Sequence, residues 1–502
     1  MRFAPVFVAG WCAFLFLYGV AAGPLYRTES LRAIIGRSCL EGHWLYPVLY
    51  GEPFLTKPPG HYVAIGLCSL PFGNVSAATA RLPSVFAATM AVVLMHGMFR
   101  RVLGERAALL VAVLLPCSVL WLDKVPSAEI DMTLVGWVAG AVVLFHRALE
   151  TEGRFAALGF WVCSLLCVAG GTLTKWTAPA FFYLTVVPLL VWRGQLSALF
   201  GWRHLGAVTV AVGACALWAA AVVQDVGPHA LTDTIRKEAA YRFAPKPGKG
   251  FPWTEVLTYP LGVFAAHLPV SAFALLTFRP SFWKRWDARG KLLLQLLHCW
   301  TWPNLLFWTL VPNHNVRYAL PMSAGLMGLG VMGLLAWLKR PTPPALLPEG
   351  KGEKITRGST RANHRFGPRV FLPPPFREGG RGGRWLLFFL LCWITVKVVF
   401  VEVVIPSRMA GRGAEATGAA LREHVPDGPL HVLKLKDEGV MFYYARPAVR
   451  LANVQSLPPG ASALLIRQEW EDRAAFGHLE LLCCMHDQQG DPIYLVRRPA
   501  ER

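Results

Sequence analysis

Three ionisable side chains are the first candidates for chemistry. Glu29 and Lys57 lie between the first two strongly hydrophobic stretches, and Asp131 lies at the start of a later one. A lysine at a lipid boundary can neutralise a phosphate as a point charge. A carboxylate can take the proton of a hydroxyl group that attacks a reactive carbon. At one membrane depth, these groups would suit a reaction on a charged substrate that is attached to a lipid.

Each of these residues also has a plainer structural interpretation. Glu29 begins a segment with apolar residues at helical spacing, so it could complement the dipole of an amphipathic surface helix. Lys57 precedes Pro58-Pro59, which favour a stiff extended loop, but the lysine could also snorkel without a ligand. Asp131 could cap a helix, although carboxylates in spans are rare and tend to be functional. Glu129 is expected at the membrane interface.

Further cationic residues follow spans that end on the same predicted side. Lys175 comes after Gly170-Gly171, where glycines permit close packing or a broken helix. Arg317 follows Asn313-His314-Asn315, and it could bind a phosphate or carboxylate through two hydrogen bonds. Arg242 lies in another loop on that side. A single cation means little here, and the shared topology is the stronger signal.

The composition is that of a helical membrane protein. The 502 residues are 54% hydrophobic and 16% charged, with a mean hydropathy of +0.41. A soluble protein would carry about a quarter charged residues. Runs of about 20 apolar residues recur, each long enough to cross a bilayer as a helix. The net charge of +20 is not read as nucleic-acid binding, because the basic residues cluster between hydrophobic runs.

We predict eleven transmembrane helices, with a range of 10 to 13, and a short re-entrant or interfacial segment at 60–72. The predicted spans are 5–22, 78–99, 107–123, 129–147, 155–173, 177–193, 204–223, 256–278, 291–311, 318–338 and 385–405. Basic loops fall on one side, which the positive-inside rule assigns to the cytoplasm. The predicted location of the protein is the cell inner membrane. The extracytoplasmic parts are then loops 24–77, 124–128, 224–255 and 312–317 and the tail.

The sequence divides into a membrane domain at 1–338, a linker at 339–384, a last helix at 385–405 and a tail at 406–502. The linker is rich in arginine, proline and glycine and is predicted to be a disordered cytoplasmic segment. The tail alternates helical and strand-like runs, which predicts a small α/β domain outside the membrane. The 11 cysteines show no metal-ligand spacing.

The segments that hold these residues resemble the superfamily of dolichyl-phosphate-mannose–protein mannosyltransferases, and especially its branch of lipid A aminoarabinose transferases. The resemblance covers about residues 20–330 in family order, and its Lys-Pro-Pro and Ala-Arg-Leu-Pro parts are fairly specific. The matching segments are Arg27-Thr28-Glu29, Gly42-His43-Trp44, Lys57-Pro58-Pro59, Ala78, Ala80-Arg81-Leu82-Pro83, Asp131-Met132, Leu173-Thr174-Lys175, Arg317-Tyr318 and Pro321.

The resemblance implies a GT-C fold and an inverting glycosyltransferase that uses a polyprenyl-phosphate sugar. The acceptor would be a hydroxyl or phosphate group on a protein or glycolipid. Glu29 and Asp131 would be the catalytic carboxylates, and Thr28, Tyr62 and Tyr318 would line the substrate. Cations would bind the lipid phosphate: Lys57, Arg27, Arg81, Lys175, Arg242 and Arg317. No cofactor is predicted, and a divalent cation, although compatible with carboxylates, has no support in the sequence.

The sequence departs from the family pattern at two positions. The family's first loop usually carries Asp-Glu, with the aspartate as the favoured base, and this chain has Thr28-Glu29. Neighbouring residues of a helix point about 100° apart, so Glu29 is not a simple replacement. Thr56 stands where some relatives have an acid before the lysine. Two alternatives therefore stay open: a lipid or sugar transporter, and a lipid-binding scaffold with altered or lost catalysis.

Overall fold

The structure is a computed structural model, and it describes residues 4–244, 250–338, 381–410, 413–425, 428–433, 438–473 and 478–500. The predicted linker therefore lies almost entirely outside the described residues. The fold is a helical membrane domain joined to a small α/β unit, as the hydropathy pattern predicts.

Apolar helices form most of the described chain before residue 410. Six of them are long and apolar enough to cross a membrane, or up to seven if the bent pair at 253–278 is one span. The helices are α1 Ala4–Leu17, α2 Thr28–Leu40, α3 Gly60–Ser69, α4 Ala77–Leu103, α5 Glu105–Leu114, α6 Val119–Lys124, α7 Ile130–Glu150, α8 Arg154–Thr172, α9 Ala178–Trp192, α10 Trp202–Val226, α11 Pro228–Phe243, α12 Trp253–Ala266, α13 Val270–Ala274, α14 Pro280–Trp283, α15 Ala288–Leu310, α16 Leu320–Leu338, α17 Arg381–Val399 and α18 Ile405–Met409.

The predicted spans coincide with helices, but their lengths differ. The predicted span 107–123 is broken into α5 and α6, because Pro116 interrupts the helix and Ser118 caps the next one through its side chain. The predicted short segment at 60–72 is α3 followed by a 3₁₀ turn at Leu70–Phe72. Helix α17 continues through a π-helical turn, Phe400–Val404, into α18.

Small residues let the helices approach closely at the centre of the domain. A Cβ on Gly330 or Gly333 of α16 would collide with the backbone oxygens of Val270 and Phe273 in α13. Lipid tails are as apolar as the helix surfaces, so there is little hydrophobic driving force between helices. Close backbone contact of this kind therefore supplies much of the packing energy. The packed helices hold the loops at the end where α7 begins and α8 ends, which we call the polar end.

The tail is a five-stranded mixed sheet with short helices on it. Its strands have the order β4-β3-β5-β7-β6; β3 is parallel to β4 and β5, and β7 is antiparallel to β5 and β6. A two-stranded hairpin, β1 and β2, lies in the first loop. The elements are β1 Val48–Leu49, β2 Glu52–Pro53, α19 Ala414–His424, β3 Leu430–Val432, α20 Gly439–Tyr444, β4 Ala448–Arg450, β5 Ser462–Ile466, α21 Arg467–Glu471, β6 Glu480–His486 and β7 Pro492–Arg497.

The tail and the first loop share a hydrophobic core. Ile35 of α2 and Tyr62 of α3 belong to the same buried cluster as Leu430 and Leu495 of the sheet. Polar contacts cross the same boundary: Arg37 donates to the backbone oxygen of Phe442 at 3.1 Å. Helix α2 is therefore held between the membrane domain and the tail.

Candidate active site

A network of buried acids and bases lies at the polar end. Glu129 precedes the first residue of α7 and Asp131 lies in its first turn. Arg32 Nη1 of α2 is 2.8 Å from one Glu129 carboxylate oxygen, and Arg317 Nη1 is 3.3 Å from the other. Arg317 Nε is 3.6 Å from Asp131 Oδ2, and Lys175 contacts Asp131 Oδ1. Arg317 therefore bridges the two acids.

Tyr318 gives two further cations a common aromatic surface. Lys175 Nζ is 4.4 Å from the centre of the Tyr318 ring, and Arg242 Cζ is 4.9 Å from it. Both distances are typical of cation–π contacts, which stabilise cations that have lost part of their hydration. Helix α11 thus places Arg242 on the same ring as Lys175, which follows α8; the ring belongs to Tyr318, which follows α15.

Lys57 reaches the same region on a loop that is tied to α8. Gly60, which follows Pro58-Pro59, donates its backbone N–H to the oxygen of Leu173 at 2.7 Å. A Cβ at Gly60 would come within 2.8 Å of that oxygen, so only glycine fits without a shift. Lys57 contacts the carboxylate of Glu238 on α11. Burial lowers the pKa of Lys57 below its usual value, and the pairing with Glu238 offsets part of this effect.

Glu29 has a different environment. Its carboxylate accepts hydrogen bonds from Arg81 Nε at 3.0 Å and Nη2 at 3.3 Å, from the Ala128 N–H at 2.9 Å and from the Tyr26 N–H at 3.2 Å. Arg81 also donates to the backbone oxygens of Val20 and Ala22. This pair anchors the entry to α2 to the helices around it.

The structure brings most of the predicted residues together, but not all of them. Contacts with Asp131 or Tyr318 link Lys175, Arg242 and Arg317, and Lys57 joins them through Glu238 on α11. Glu29 and Arg81 form the separate buried anchor. Arg27 and Thr28 are exposed, and the Arg27 guanidinium lies over the Tyr26 ring.

Tyr62 was predicted to line the substrate, and the structure places it in the buried core that the tail and first loop share. Its side chain is only 2% exposed, and its ring meets Phe54 edge-on at 6.3 Å. Its predicted contact with substrate stays a prediction.

Three residues of the network were not predicted from the sequence: Glu129, Arg32 and Glu238. Glu238 precedes Arg242 by four residues, and this spacing places both on one helix face. Glu129 was expected at the interface, yet its side chain is only 5% exposed. Its spacing from Asp131 gave no hint that Arg317 would bridge them. Among the described residues, no group of three His, Cys, Asp or Glu side chains could hold a metal ion.

The network carries an excess of positive charge. Five cations take part, namely Lys57, Arg32, Lys175, Arg242 and Arg317, against the three carboxylates of Glu129, Asp131 and Glu238. The difference is two positive charges. The region is therefore suited to an anion with about two negative charges, such as a phosphate monoester.

Comparisons with known proteins show which sequences and folds the chain is similar to. Residues 56–219 match the family model described as dolichyl-phosphate-mannose-protein mannosyltransferase. The chain is 24% identical over 332 residues to undecaprenyl phosphate-alpha-4-amino-4-deoxy-L-arabinose arabinosyl transferase of Erwinia tasmaniensis, and 26% identical over 323 residues to that of Yersinia enterocolitica. Each match covers 62% of this chain and 56% of the relative. The chain thus spans little more than half the length of these curated relatives.

Solved structures have a similar fold. The crystal structure of ArnT from Cupriavidus metallidurans bound to undecaprenyl phosphate has a TM-score of 0.69 at 17% identity, covering 99% of this chain and 98% of that one. The apo oligosaccharyltransferase of Archaeoglobus fulgidus has a TM-score of 0.52 at 12% identity, covering 94% of this chain and 71% of that one. The chain therefore shares the fold of these solved structures, and its residues 56–219 resemble the dolichyl-phosphate-mannose-protein mannosyltransferase family.

Proposed function

We propose that this protein is an inverting glycosyltransferase that moves a hexose or pentose from a polyprenyl-phosphate donor to a hydroxyl or phosphate acceptor. The observation that carries the proposal is the cationic network around Tyr318, with its excess of two positive charges, at one end of an apolar bundle. A polyprenyl chain would lie along the lipid-facing helices, and its phosphate would meet the network. The names of the relatives, which specify undecaprenyl phosphate, support a donor of this class.

The chemistry follows from where charge develops. An acceptor oxygen attacks the anomeric carbon from the side opposite the phosphate, so the configuration inverts. The bond between that carbon and the phosphate oxygen breaks, and its electron pair leaves with the polyprenyl phosphate. Lys57, Arg242 and Lys175 would stabilise the phosphate as its charge grows, and fixed cations in a site that excludes water are efficient at this. Asp131 would hold Lys175 and Arg317 in place.

We further propose that the site faces the outer side of the inner membrane. Basic residues are concentrated in the loops at the opposite end from the network, where the positive-inside rule predicts the cytoplasm. The acceptor would then be a protein or glycolipid of the cell envelope. The tail would lie on the same outer side, because it contacts α2 and α3.

The experiment uses purified full-length protein in nanodiscs with a panel of undecaprenyl-phosphate sugars and envelope acceptors. We expect the wild type to release free undecaprenyl phosphate, and the Lys57→Ala and Arg242→Ala variants to bind that lipid at least tenfold more weakly. Lys284→Ala, which removes an exposed cation outside the network, is the matched control. A wild type that neither binds the lipid nor releases it from any donor would refute the proposal.

A second candidate is a lipid-phosphate-binding protein without transfer activity. It is favoured by one observation: Glu29, the carboxylate nearest the family's usual base, already accepts four hydrogen bonds. The same experiment separates the two candidates, because binding of undecaprenyl phosphate without release from any donor would support the second. A transporter would instead move the lipid-linked sugar across a sealed vesicle without cleaving it.

A further inference from the structure

One carboxylate of the network, Glu238, differs in its surroundings from the other carboxylates at the polar end. The side chain of Glu238 is 19% exposed, whereas those of Glu129 and Asp131 are 5% exposed and that of Glu29 is 10% exposed. Among the described residues, Lys57 is its one ion-pair partner. Glu238 is therefore the carboxylate that solvent and a substrate reach most easily.

The other carboxylates are committed to fixed partners. Glu29 accepts four hydrogen bonds, Glu129 lies between two arginines, and Asp131 lies between Lys175 and Arg317. To accept a proton, any of these groups would have to leave a buried cation without its counter-ion, which is costly. Their arrangement suits positioning of cations rather than proton transfer.

Glu238 and Arg242 lie four residues apart on one face of α11, so the helix presents a carboxylate and a guanidinium group to the same space. Arg242 lies over Tyr318, and Glu238 meets Lys57. An anion that bound Lys57 and Arg242 would take the place of the Glu238 carboxylate at the lysine. The displaced carboxylate would then lie beside the bound phosphate and its sugar.

We propose that Glu238 is the base that takes the proton of the acceptor hydroxyl, and that Lys57 holds it until the donor phosphate arrives. This assignment rests on the proposed function. The donor phosphate replaces the carboxylate at Lys57, and a carboxylate without a neighbouring ammonium group is a better proton acceptor. The acceptor proton passes to Glu238, the new bond to the anomeric carbon forms, and the bond to phosphate breaks. Glu238 later returns the proton to water.

The assignment is tested with Glu238→Gln and Glu238→Asp in the full-length protein, assayed with a donor that the wild type cleaves. General bases contribute roughly 100-fold or more to turnover, so we expect kcat of the Gln variant to fall by that factor. We expect the Asp variant to recover part of the activity, and the acidic limb of the kcat–pH profile to disappear in the Gln variant. Glu255→Gln, an exposed acid on α12, is the control and should resemble the wild type.

Binding of undecaprenyl phosphate, measured by native mass spectrometry, separates this role from a structural one. We expect the Gln variant to bind the lipid as tightly as the wild type or more tightly, because the competing carboxylate is gone. If the Gln variant binds the lipid more weakly but keeps its kcat at saturating donor, Glu238 only holds α11 in position. That result would overturn the assignment. A kcat within twofold of the wild type would also overturn it while leaving the proposed function intact. A wild type that neither binds undecaprenyl phosphate nor cleaves any donor would overturn both the assignment of Glu238 and the proposed function.

Discussion

At the scale of single residues, the site depends on which carboxylate holds which cation. Asp131 lies between Lys175 and Arg317, and its side chain is only 5% exposed. Breaking a buried ion pair by removing one partner typically costs about 3–5 kcal/mol, because a buried charge is left uncompensated. A surface ion pair with the same residue types typically contributes less than about 1 kcal/mol.

We therefore expect Asp131→Asn to lower both thermal stability and donor cleavage, the latter by at least tenfold. The matched control is Asp123→Asn, since Asp123 also meets two cations, Lys124 and Arg408, but is 32% exposed. Thermal unfolding in detergent and release of undecaprenyl phosphate are the two measurements. Equal effects of the two substitutions would contradict the argument from burial.

Glu29 gives a second prediction at this scale. Because its four hydrogen bonds anchor the entry to α2, Glu29→Gln should reduce stability and activity together. The sequence predicts a catalytic role instead, which would lower kcat and leave thermal unfolding unchanged. Measuring both quantities on one preparation decides between the two roles.

Lys57 gives a prediction about pH. Burial lowers the pKa of its ammonium group, so the lysine loses its charge at a lower pH than an exposed lysine would. Binding of undecaprenyl phosphate should therefore weaken as the pH rises from about 7 towards about 10. The Lys57→Arg variant keeps its charge over this range and should show a flatter profile. Equal profiles for the two proteins would contradict this prediction.

At the scale of elements, the sequence predicts the helices well and their contacts poorly. Apolar runs and basic loops locate the spans, because both signals are local. The break at Pro116 was missed, since the surrounding run is apolar on both sides. The neighbours of Lys57 depend on how α8 and α11 approach its loop, and no local pattern contains that information. Glu238 is the clearest case: it lies 181 residues from its partner.

The hydrogen bond between Gly60 and Leu173 can be tested as an element-level contact. A Cβ at Gly60 would meet the Leu173 oxygen and Thr174 Oγ1 at 2.8 Å, so Gly60→Ala should displace the Lys57 loop. We expect weaker binding of undecaprenyl phosphate although every cation is retained. Gly213→Ala is the control, because a Cβ there would have no neighbour within 4 Å. Unchanged lipid binding in the Gly60 variant would show that the loop position is not set by this contact.

At the scale of the whole molecule, the tail supports the first loop. Phe442 of α20 is 5% exposed and belongs to a buried cluster that includes Leu25, Ala33 and Ala128, the last beside Glu129. Its ring also lies 4.8 Å from the Arg37 guanidinium. The sequence predicts both the tail and the loop, but their shared core depends on tertiary packing.

Phe442→Ala should lower the stability of the first loop by about 3–5 kcal/mol and reduce donor cleavage, because a large buried ring is lost. Hydrogen exchange in residues 24–77 is the measurement that reports the effect. Trp470→Ala is the comparison: Trp470 stacks on Tyr494 at 4.9 Å within the sheet's own cluster. That variant should loosen the sheet and leave exchange in the loop unchanged.

The shared core also has a consequence for the order in which the protein is made. Domains generally fold as the ribosome produces them, beginning at the N-terminus. Helix α2 and the Lys57 loop leave the ribosome well before Phe442 and Leu495, which complete their packing. A nascent chain therefore carries its cationic residues in the membrane before the loop that presents Lys57 is supported. Folding of the tail is then the step that completes the support of the loop that presents Lys57.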